Sequence, residues 1–240
     1  MIADDDQNFP APRHFDAKKA DAYDEYIPRV IPGYDTLHML AMNIVGHETG
    51  GHGRVLIVGA GTGAETINLC RNHPNLSVTG CDPSIHMLAV ARQKIATEGL
   101  QDRVELINGD VGDLSDTPVF DAAMMILVMH FIADGGDKRK LLGAVATRLK
   151  PGAPLILADM FGDRDSAAYK DQDAVWRNMQ IKGGAEPEDV DDNIRRAAKD
   201  TYPIGEPRLS ELLREAGLTT MTPFFRSLMF GGWLARKKTA

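Results

Sequence analysis

The chain has 240 residues, of which 43% are hydrophobic and 25% are charged, and its formal net charge is −7. This length and composition fit one large globular domain with a full core, and the acidic balance argues against a protein that binds nucleic acid directly. Because no run of about 18 apolar residues occurs, no membrane span is predicted. The acidic N-terminus is unlike a secretory leader, so a cytoplasmic location is expected, and Cys70 and Cys81 are expected to be reduced core thiols.

The first fifty residues predict a tail followed by a helical cap. Residues 1–15 are expected to be a flexible tail, and residues 16–50 are expected to form two helices. Proline interrupts helical hydrogen bonding, so the break between these helices is predicted at Ile27 and Pro28.

From residue 51 onwards, strand and helix patterns alternate along the chain. The strand at 120–128 is almost entirely apolar, as expected for a strand that is covered on both faces. Alternation at this interval indicates parallel βαβ units, and we therefore predict an α/β fold with a doubly wound, Rossmann-like sheet. Either Ser84 or Asp82 is expected to cap the second helix of this region. The predicted strands are 55–58, 76–81, 103–108, 120–128 and 153–160, and the predicted helices are 64–72, 84–99 and 138–150.

The last eighty residues have a different pattern. Residues 161–205 are polar and charged and are predicted to form a lid insertion, with a helix around DDNIRRAAKD. Residues 208–218 predict a helix, and residues 219–237 predict two strands, of which the last is antiparallel. The prediction is therefore a seven-stranded sheet within one domain, residues 51–240, that follows the helical cap.

A glycine-rich turn joins the first predicted strand to the helix after it, in the stretch VLIVGAGTGAET. Such a turn places backbone N–H groups and a helix N-terminus against a ligand. Gly59, Gly61 and Ala64 satisfy the dinucleotide fingerprint, and Asp82 lies near the spacing of a ribose-binding carboxylate. The loop by itself leaves two cofactor types open, the nicotinamide dinucleotides and S-adenosylmethionine.

Further features favour the second type. Asp110, in INGD, follows the third strand, where it could accept a hydrogen bond from an adenine amino group while the N–H of Val111 meets the ring. The turn in LKPGAPLILAD leads into the fifth strand, and the closing hairpin leaves no room for a separate catalytic domain of the dehydrogenase kind.

Five segments of the chain, in their order and spacing, resemble the class I S-adenosylmethionine-dependent methyltransferases over residues 53 to 160. The segments are VLIVGAGTGAET, VTGCDPSIHML, ELINGDVGDL, FDAAMMILVMHF and LKPGAPLILADM. The flanking segments IPGYDTLH and LLREAGLTTMTPFFRSLMFGGWLARK resemble the carboxy-S-adenosylmethionine synthases and their methyltransferase relatives. The resemblance implies S-adenosylmethionine as the cofactor and S-adenosylhomocysteine as the product.

The resemblance also implies individual roles for the residues that match the family's motifs. The synthases have an asparagine where this chain has Ile126, and this difference favours plain methyl transfer over carboxyl transfer. Arg195 or Arg196 is the candidate for the substrate-binding arginine of the lid. For the cofactor, the resemblance implies that Gly59, Ala60 and Gly61 lie under the methionine part and that Tyr34 covers the bound molecule. Asp82 would bind the ribose hydroxyls and Pro83 would lie beside the adenine. Asp110 and Val111 would contact the edge of the adenine ring.

His130 is the candidate catalytic residue, because it follows the fourth strand at the edge where open α/β sheets bind ligands. It could take a proton from the attacking group, or it could be a packed histidine that holds a loop. The histidines and cysteines lack metal-ligand spacing, so no metal site is predicted.

The function predicted from the sequence is methylation of a small molecule at oxygen, nitrogen or sulfur. Two alternatives remain open, a carboxy-S-adenosylmethionine synthase that uses prephenate for tRNA wobble uridine modification and a cofactor-binding protein without catalysis. Direct nucleic-acid and membrane partners are not expected, and a homodimer is left open.

Overall fold

The structure is a computed structural model that describes residues 17–219 and 221–239. The predicted tail over residues 1–15 lies outside the described residues. Seven strands form one sheet, and the predicted α/β fold is confirmed. The strands are β1 (His52–Val58), β2 (Asn75–Asp82), β3 (Val104–Asn108), β4 (Ala122–Ile126), β5 (Pro154–Met160), β6 (Thr222–Ser227) and β7 (Phe230–Arg236).

The strand order across the sheet is β3-β2-β1-β4-β5-β7-β6. β1 to β5 pair in parallel, whereas β7 is antiparallel to both β5 and β6. The predicted reversal of the last strand is therefore confirmed. The chain runs outward from β1 in one direction to β2 and in the other to β4, so a crevice opens between the carboxyl ends of these strands.

Eight helices are present in the described part of the chain, and they cover both faces of the sheet. Side chains alternate along β1, so that Val55 and Ile57 pack on one face while Leu56 and Val58 pack on the other. The helices are α1 (Ala17–Val30), α2 (Tyr34–Thr49), α3 (Ala64–Asn72), α4 (Ile85–Thr97), α5 (Asp137–Arg148), α6 (Ala167–Lys182), α7 (Pro187–Asp200) and α8 (Glu206–Glu215).

The break in the helical cap lies four residues later than the sequence predicted. α1 continues through Pro28 to Val30, and the N–H of Ile31 still donates to the carbonyl of Ile27 at 3.0 Å. Pro28 stands in the last turn, where the missing N–H removes one helical hydrogen bond and leaves the preceding turns intact. α2 begins after Gly33, which adopts a left-handed conformation with φ of 82°.

The segment that was predicted to be a lid, residues 161–205, contains two helices, α6 and α7, and only α7 was predicted. α6 was not predicted because its sequence has only a weak apolar periodicity. The helix buries few side chains, among them Tyr169, Trp176 and Gln180. Trp176 ties the insertion to the cap, because its indole Nε1 donates to the carbonyl oxygen of Val30 at 2.6 Å.

The cap is also held to the glycine loop. Asp24 of α1 accepts a hydrogen bond from the hydroxyl of Thr62 and contacts the ammonium group of Lys94 on α4. Within the described residues, no helix combines the length and the apolar character needed to cross a bilayer.

Candidate active site

The glycine loop after β1 is held against the end of β2. The backbone N–H groups of Gly59 and Ala60 both donate to the carbonyl oxygen of Cys81, at 2.8 and 3.0 Å. The N–H of Gly61 donates to the carboxylate of Asp82 at 2.9 Å. Gly59 and Gly61 have positive φ angles of 74° and 51°, a conformation that favours glycine because a Cβ atom strains it. The loop therefore turns sharply and brings bare backbone to the crevice.

Asp82, at the end of β2, is buried beside this loop. Its carboxylate accepts hydrogen bonds from the N–H of Gly61 and from the N–H of Ser84, the latter at 2.8 Å. Burial raises the pKa of Asp82, while these two hydrogen bonds act in the opposite direction. Ser84 caps α4, because its hydroxyl accepts the N–H of Met87 at 3.3 Å. Each oxygen of Asp82 keeps a second lone pair with which it can accept a ligand hydroxyl.

Asp110, after β3, opens a short 3₁₀ turn over Val111–Asp113. Its carboxylate accepts the N–H of Gly112 at 2.6 Å, and Asp113 in turn accepts the N–H of Asp110 at 2.9 Å. Burial raises the pKa of Asp110. The residue therefore shapes a turn at the crevice, and its role on an adenine edge stays a prediction.

A cleft of about 1080 Å³ lies over these three loops, and we name it the cofactor cavity. Ala60 does not line it, because its side chain is fully buried beneath the loop. The other cofactor residues that the sequence predicted do line it, namely Tyr34, Gly59, Gly61, Asp82, Pro83, Asp110 and Val111.

The charges around the cofactor cavity favour S-adenosylmethionine over a nicotinamide dinucleotide. Glu65, Asp82 and Asp110 line it, and no Lys or Arg stands among its described lining residues. A dinucleotide would bring its diphosphate towards three carboxylates, with no cation to pair it. The N–H groups of residues 59 to 61 are also already bonded within the protein. A nucleoside that carries positive charge suits this lining, and S-adenosylmethionine has a sulfonium and an ammonium group.

His130 lies in a 3₁₀ turn, Met129–Phe131, just beyond β4. Its ring nitrogen Nδ1 contacts the carboxylate of Asp159, which stands near the end of the neighbouring strand β5. Both side chains are buried. A carboxylate only accepts hydrogen bonds, so Nδ1 carries the hydrogen and Nε2 is the ring nitrogen that can take a proton.

A buried lysine supports this pair. Lys138 is fully buried, and its ammonium group donates to the carbonyl oxygen of Met129 at 2.6 Å, next to His130. Burial lowers the pKa of Lys138, while the charges of Asp159 and Asp134 oppose that effect.

Sequence reasoning missed both Asp159 and Lys138. Asp159 carried a usable signal, because it ends the LILAD strand and the carboxyl ends of parallel neighbours meet at one edge of the sheet. Lys138 begins the segment KRKLLGAVATR, in which three successive basic residues indicate an exposed helix start. Nothing in the sequence therefore indicated that Lys138 is buried beside the site.

A second cavity of about 1410 Å³ adjoins the first, and we name it the acceptor cavity. Tyr23, Leu127 and Phe131 line both cavities, so the two are neighbours. Leu127 has a positive φ of 59°, which is unusual for a branched side chain and typical of functional sites. His130 lines the acceptor cavity and is not among the residues that line the cofactor cavity.

The two lid arginines have different surroundings. Arg196 lines the acceptor cavity, and its guanidinium contacts the side-chain oxygen of Asn193. Arg195 is exposed and pairs with Asp192 on the same helix, and it is not among the residues that line the cavity. The structure therefore brings Arg196, and not Arg195, to the site.

The comparisons with known proteins agree with this geometry. A family model described as a methyltransferase domain matches residues 56–155. A carboxy-S-adenosyl-L-methionine synthase of Klebsiella pneumoniae subsp. pneumoniae is 30% identical over 63% of this chain and 62% of its own length. A 3-hydroxy-5-methyl-1-naphthoate 3-O-methyltransferase of Streptomyces sahachiroi is 30% identical over 53% of this chain and 36% of its own length. The match thus spans less than two thirds of either relative.

A solved structure covers nearly the whole chain. It is described as a putative S-adenosyl-L-methionine-dependent methyltransferase from Methanococcus maripaludis. It aligns with 98% of this chain and 97% of its own, with a TM-score of 0.62 and 20% sequence identity, and so supports the fold. Residues 56–155 therefore match a methyltransferase domain, and the chain as a whole has the fold of this solved structure. The methyltransferase fold confirmed here also places its cofactor cavity at the predicted edge of the sheet.

Gly59→Ala tests how tightly the glycine loop is packed. A Cβ atom on Gly59 would lie 2.3 Å from Cγ2 of Val128, in a backbone conformation that alanine disfavours. We expect a loss of about 1–3 kcal/mol in unfolding free energy, measured by chemical denaturation, together with weaker binding of S-adenosylhomocysteine in calorimetry. Gly135→Ala is the control, because nothing lies within 4 Å of its Cβ position. Equal effects of the two substitutions would contradict the prediction.

Proposed function

We propose that this chain transfers a methyl group from S-adenosylmethionine to a hydroxyl oxygen of a small molecule. The observation that carries the proposal is the contact between His130 and Asp159, on the wall of a cavity that adjoins the cofactor cavity. A hydroxyl group needs to lose its proton as it attacks, and a histidine oriented by a carboxylate can accept that proton. The Streptomyces relative, named for methylation of a hydroxyl group on a naphthoate, supports oxygen over nitrogen or sulfur.

The residues present fit the proposed cofactor. Asp82 would hold the ribose hydroxyls, Asp110 and Val111 the adenine edge, and the backbone at Gly59 and Gly61 the methionine part. When bound, S-adenosylmethionine supplies an electrophilic methyl group, whose C–S bond breaks with its electron pair left on sulfur as the new O–C bond forms.

The chain's own residues position the acceptor and accept its proton. His130 takes the hydroxyl proton on Nε2, and the negative charge of Asp159 stabilises the imidazolium that results. Lys138 holds the carbonyl of Met129 and so fixes the turn that carries His130. Tyr23, at the junction of the two cavities, helps to exclude water from the reacting atoms.

Carboxy-S-adenosylmethionine synthesis is the second candidate, because the Klebsiella relative is named as such a synthase. Ile126 argues against it. This apolar side chain lines the cofactor cavity where the synthases have an asparagine, and it offers no hydrogen bond to a carboxylate. Methyl transfer therefore remains the better-supported function.

Mass spectrometry distinguishes these functions. We expect incubation with S-adenosylmethionine and a panel of phenols, amines and thiols to yield a phenol heavier by one CH₂ group and an equal amount of S-adenosylhomocysteine. A cofactor that gains a carboxylate when prephenate is added would establish the synthase function instead. Cofactor binding without any product across the panel would indicate a protein without catalysis.

The proposed partner is a small-molecule acceptor, in agreement with the apolar lining of the acceptor cavity. We further propose that the protein acts in the cytoplasm without a direct nucleic-acid partner, which the net charge of −7 supports. A homodimer stays an untested prediction.

A further inference from the structure

The walls of the acceptor cavity are apolar and aromatic. Tyr26, Ile27, Met160, Trp176 and Phe230 all line it. The ring of Trp176 is held by two contacts. Its Nε1 donates to the carbonyl of Val30, and it packs in a T-shaped arrangement with the ring of Phe230, with 5.8 Å between the ring centroids. Fixed aromatic walls favour a flat apolar group over a flexible polar one, because aromatic groups pack edge-to-face or offset against such rings.

One cation stands among these apolar walls. Arg196 is the only Lys or Arg among the cavity's described lining residues. Its guanidinium contacts Asn193, a neutral residue, and in the described part of the chain no carboxylate pairs with it within 4.0 Å. The carboxylate of Asp200 also lines the cavity, four residues further along α7. A guanidinium without a carboxylate partner, next to an apolar cavity, suits an anionic group on the ligand.

The cation and the proposed proton acceptor belong to different elements of the cavity wall, α7 and the turn after β4. The N–H of Tyr202, just past the end of α7, donates to the carbonyl oxygen of His130 at 2.5 Å, so this end of α7 adjoins His130. Arg196 precedes Thr201 by five residues, which corresponds to about 7.5 Å along a helix. A ligand that reaches both groups therefore extends between α7 and the turn after β4, and a ring system can separate its hydroxyl from its anionic group.

We propose that the acceptor is an aromatic hydroxy acid. Its hydroxyl group faces His130, its ring lies between the apolar walls that include Trp176 and Phe230, and its carboxylate binds the guanidinium of Arg196. The proposal rests on the proposed function for the identity of the reacting oxygen, and it adds the chemical class of the substrate. It also assigns the two lid arginines different roles, with Arg196 on the substrate and Arg195 in a surface ion pair.

Calorimetry on the protein saturated with S-adenosylhomocysteine tests this proposal without any methyl transfer. The probes are 4-hydroxybenzoate and 6-hydroxy-2-naphthoate, each beside its methyl ester, and trans-4-hydroxycyclohexanecarboxylate as the non-aromatic acid. We expect at least one aromatic acid to bind about tenfold or more tightly than its ester, because the ester cannot form the charge-assisted pair. We also expect it to bind more tightly than the non-aromatic acid.

Paired substitutions on one helix provide the control. Arg196→Gln should remove the preference for acid over ester and leave the affinity for the ester within about twofold, whereas Arg195→Gln should retain the preference. The proposal is overturned if acids and esters bind equally, if Arg195→Gln has the same effect as Arg196→Gln, or if no aromatic acid binds.

The two proposals can fail separately. If the acids bind as expected but no methylated product forms, the substrate class stands and the proposed methyl transfer is wrong. If neutral phenols are methylated as well as the acids are, the proposed function stands and the substrate class is wrong.

Discussion

Replacing His130 by glutamine is expected to lower kcat for a hydroxyl acceptor by about 10²- to 10⁴-fold, the usual contribution of a general base. Glutamine can still donate to the carboxylate of Asp159, so the local packing is largely kept while the proton-accepting nitrogen is lost. The affinity for S-adenosylhomocysteine should stay within about twofold, because His130 lines the acceptor cavity and is not among the residues that line the cofactor cavity.

Steady-state kinetics with the best phenol from the panel, together with calorimetry, checks this expectation. His86→Gln is the matched control, since His86 is an exposed residue of α4. Asp159→Asn should also lower kcat, because an amide no longer stabilises a charged imidazole. A His130→Gln enzyme with an unchanged kcat would show that the histidine only holds its loop.

Replacing Asp82 by alanine is expected to weaken cofactor binding by about 2–4 kcal/mol, because it removes a charged acceptor of buried hydroxyl groups. The same substitution also leaves the N–H groups of Gly61 and Ser84 without their acceptor. The binding of S-adenosylmethionine and S-adenosylhomocysteine, measured by calorimetry, should fall together, since both carry the same ribose.

Loss of the loop's shape could by itself weaken binding, so Asp82→Asn is the second variant. An amide oxygen can still accept one backbone N–H, and this variant should keep its unfolding temperature closer to that of the wild type than alanine does. Asp102→Ala, at an exposed position in the turn before β3, is the control and should bind the cofactor normally. An unchanged dissociation constant in Asp82→Ala would remove Asp82 from the cofactor site.

The cofactor side of the site could be predicted from the sequence because its residues follow strands in chain order. Gly59 follows β1, Asp82 ends β2, and Asp110 comes two residues after the end of β3, so a correct prediction of those strands brings the three residues to one edge of the sheet. The resemblance to a known family then provided the type of ligand. The charges of the cavity lining, including Glu65, supply an independent physical reason for the same choice.

The acceptor side could not be predicted in this way. Its cavity is built from α1, the turn after β4, α6, α7 and the start of β7, which are distant in the chain. Trp176 belongs to a helix that the sequence did not reveal, and Lys138 belongs to one whose pattern reads as exposed. Periodicity reports which face of an element is apolar, but it does not report which other element covers that face.

By itself, the sequence determined the α/β alternation, the glycine loop and the carboxylates at the ends of successive strands, because these features depend on local patterns and on the parallel arrangement of neighbouring strands. Only the tertiary structure decided that Asp159 orients His130, that Lys138 is buried beside them, and that Arg196 rather than Arg195 faces the acceptor cavity. These contacts join residues far apart in the chain or choose between neighbours on one helix. They depend on how helices and loops pack over the sheet, which the amino-acid pattern of a single element does not specify.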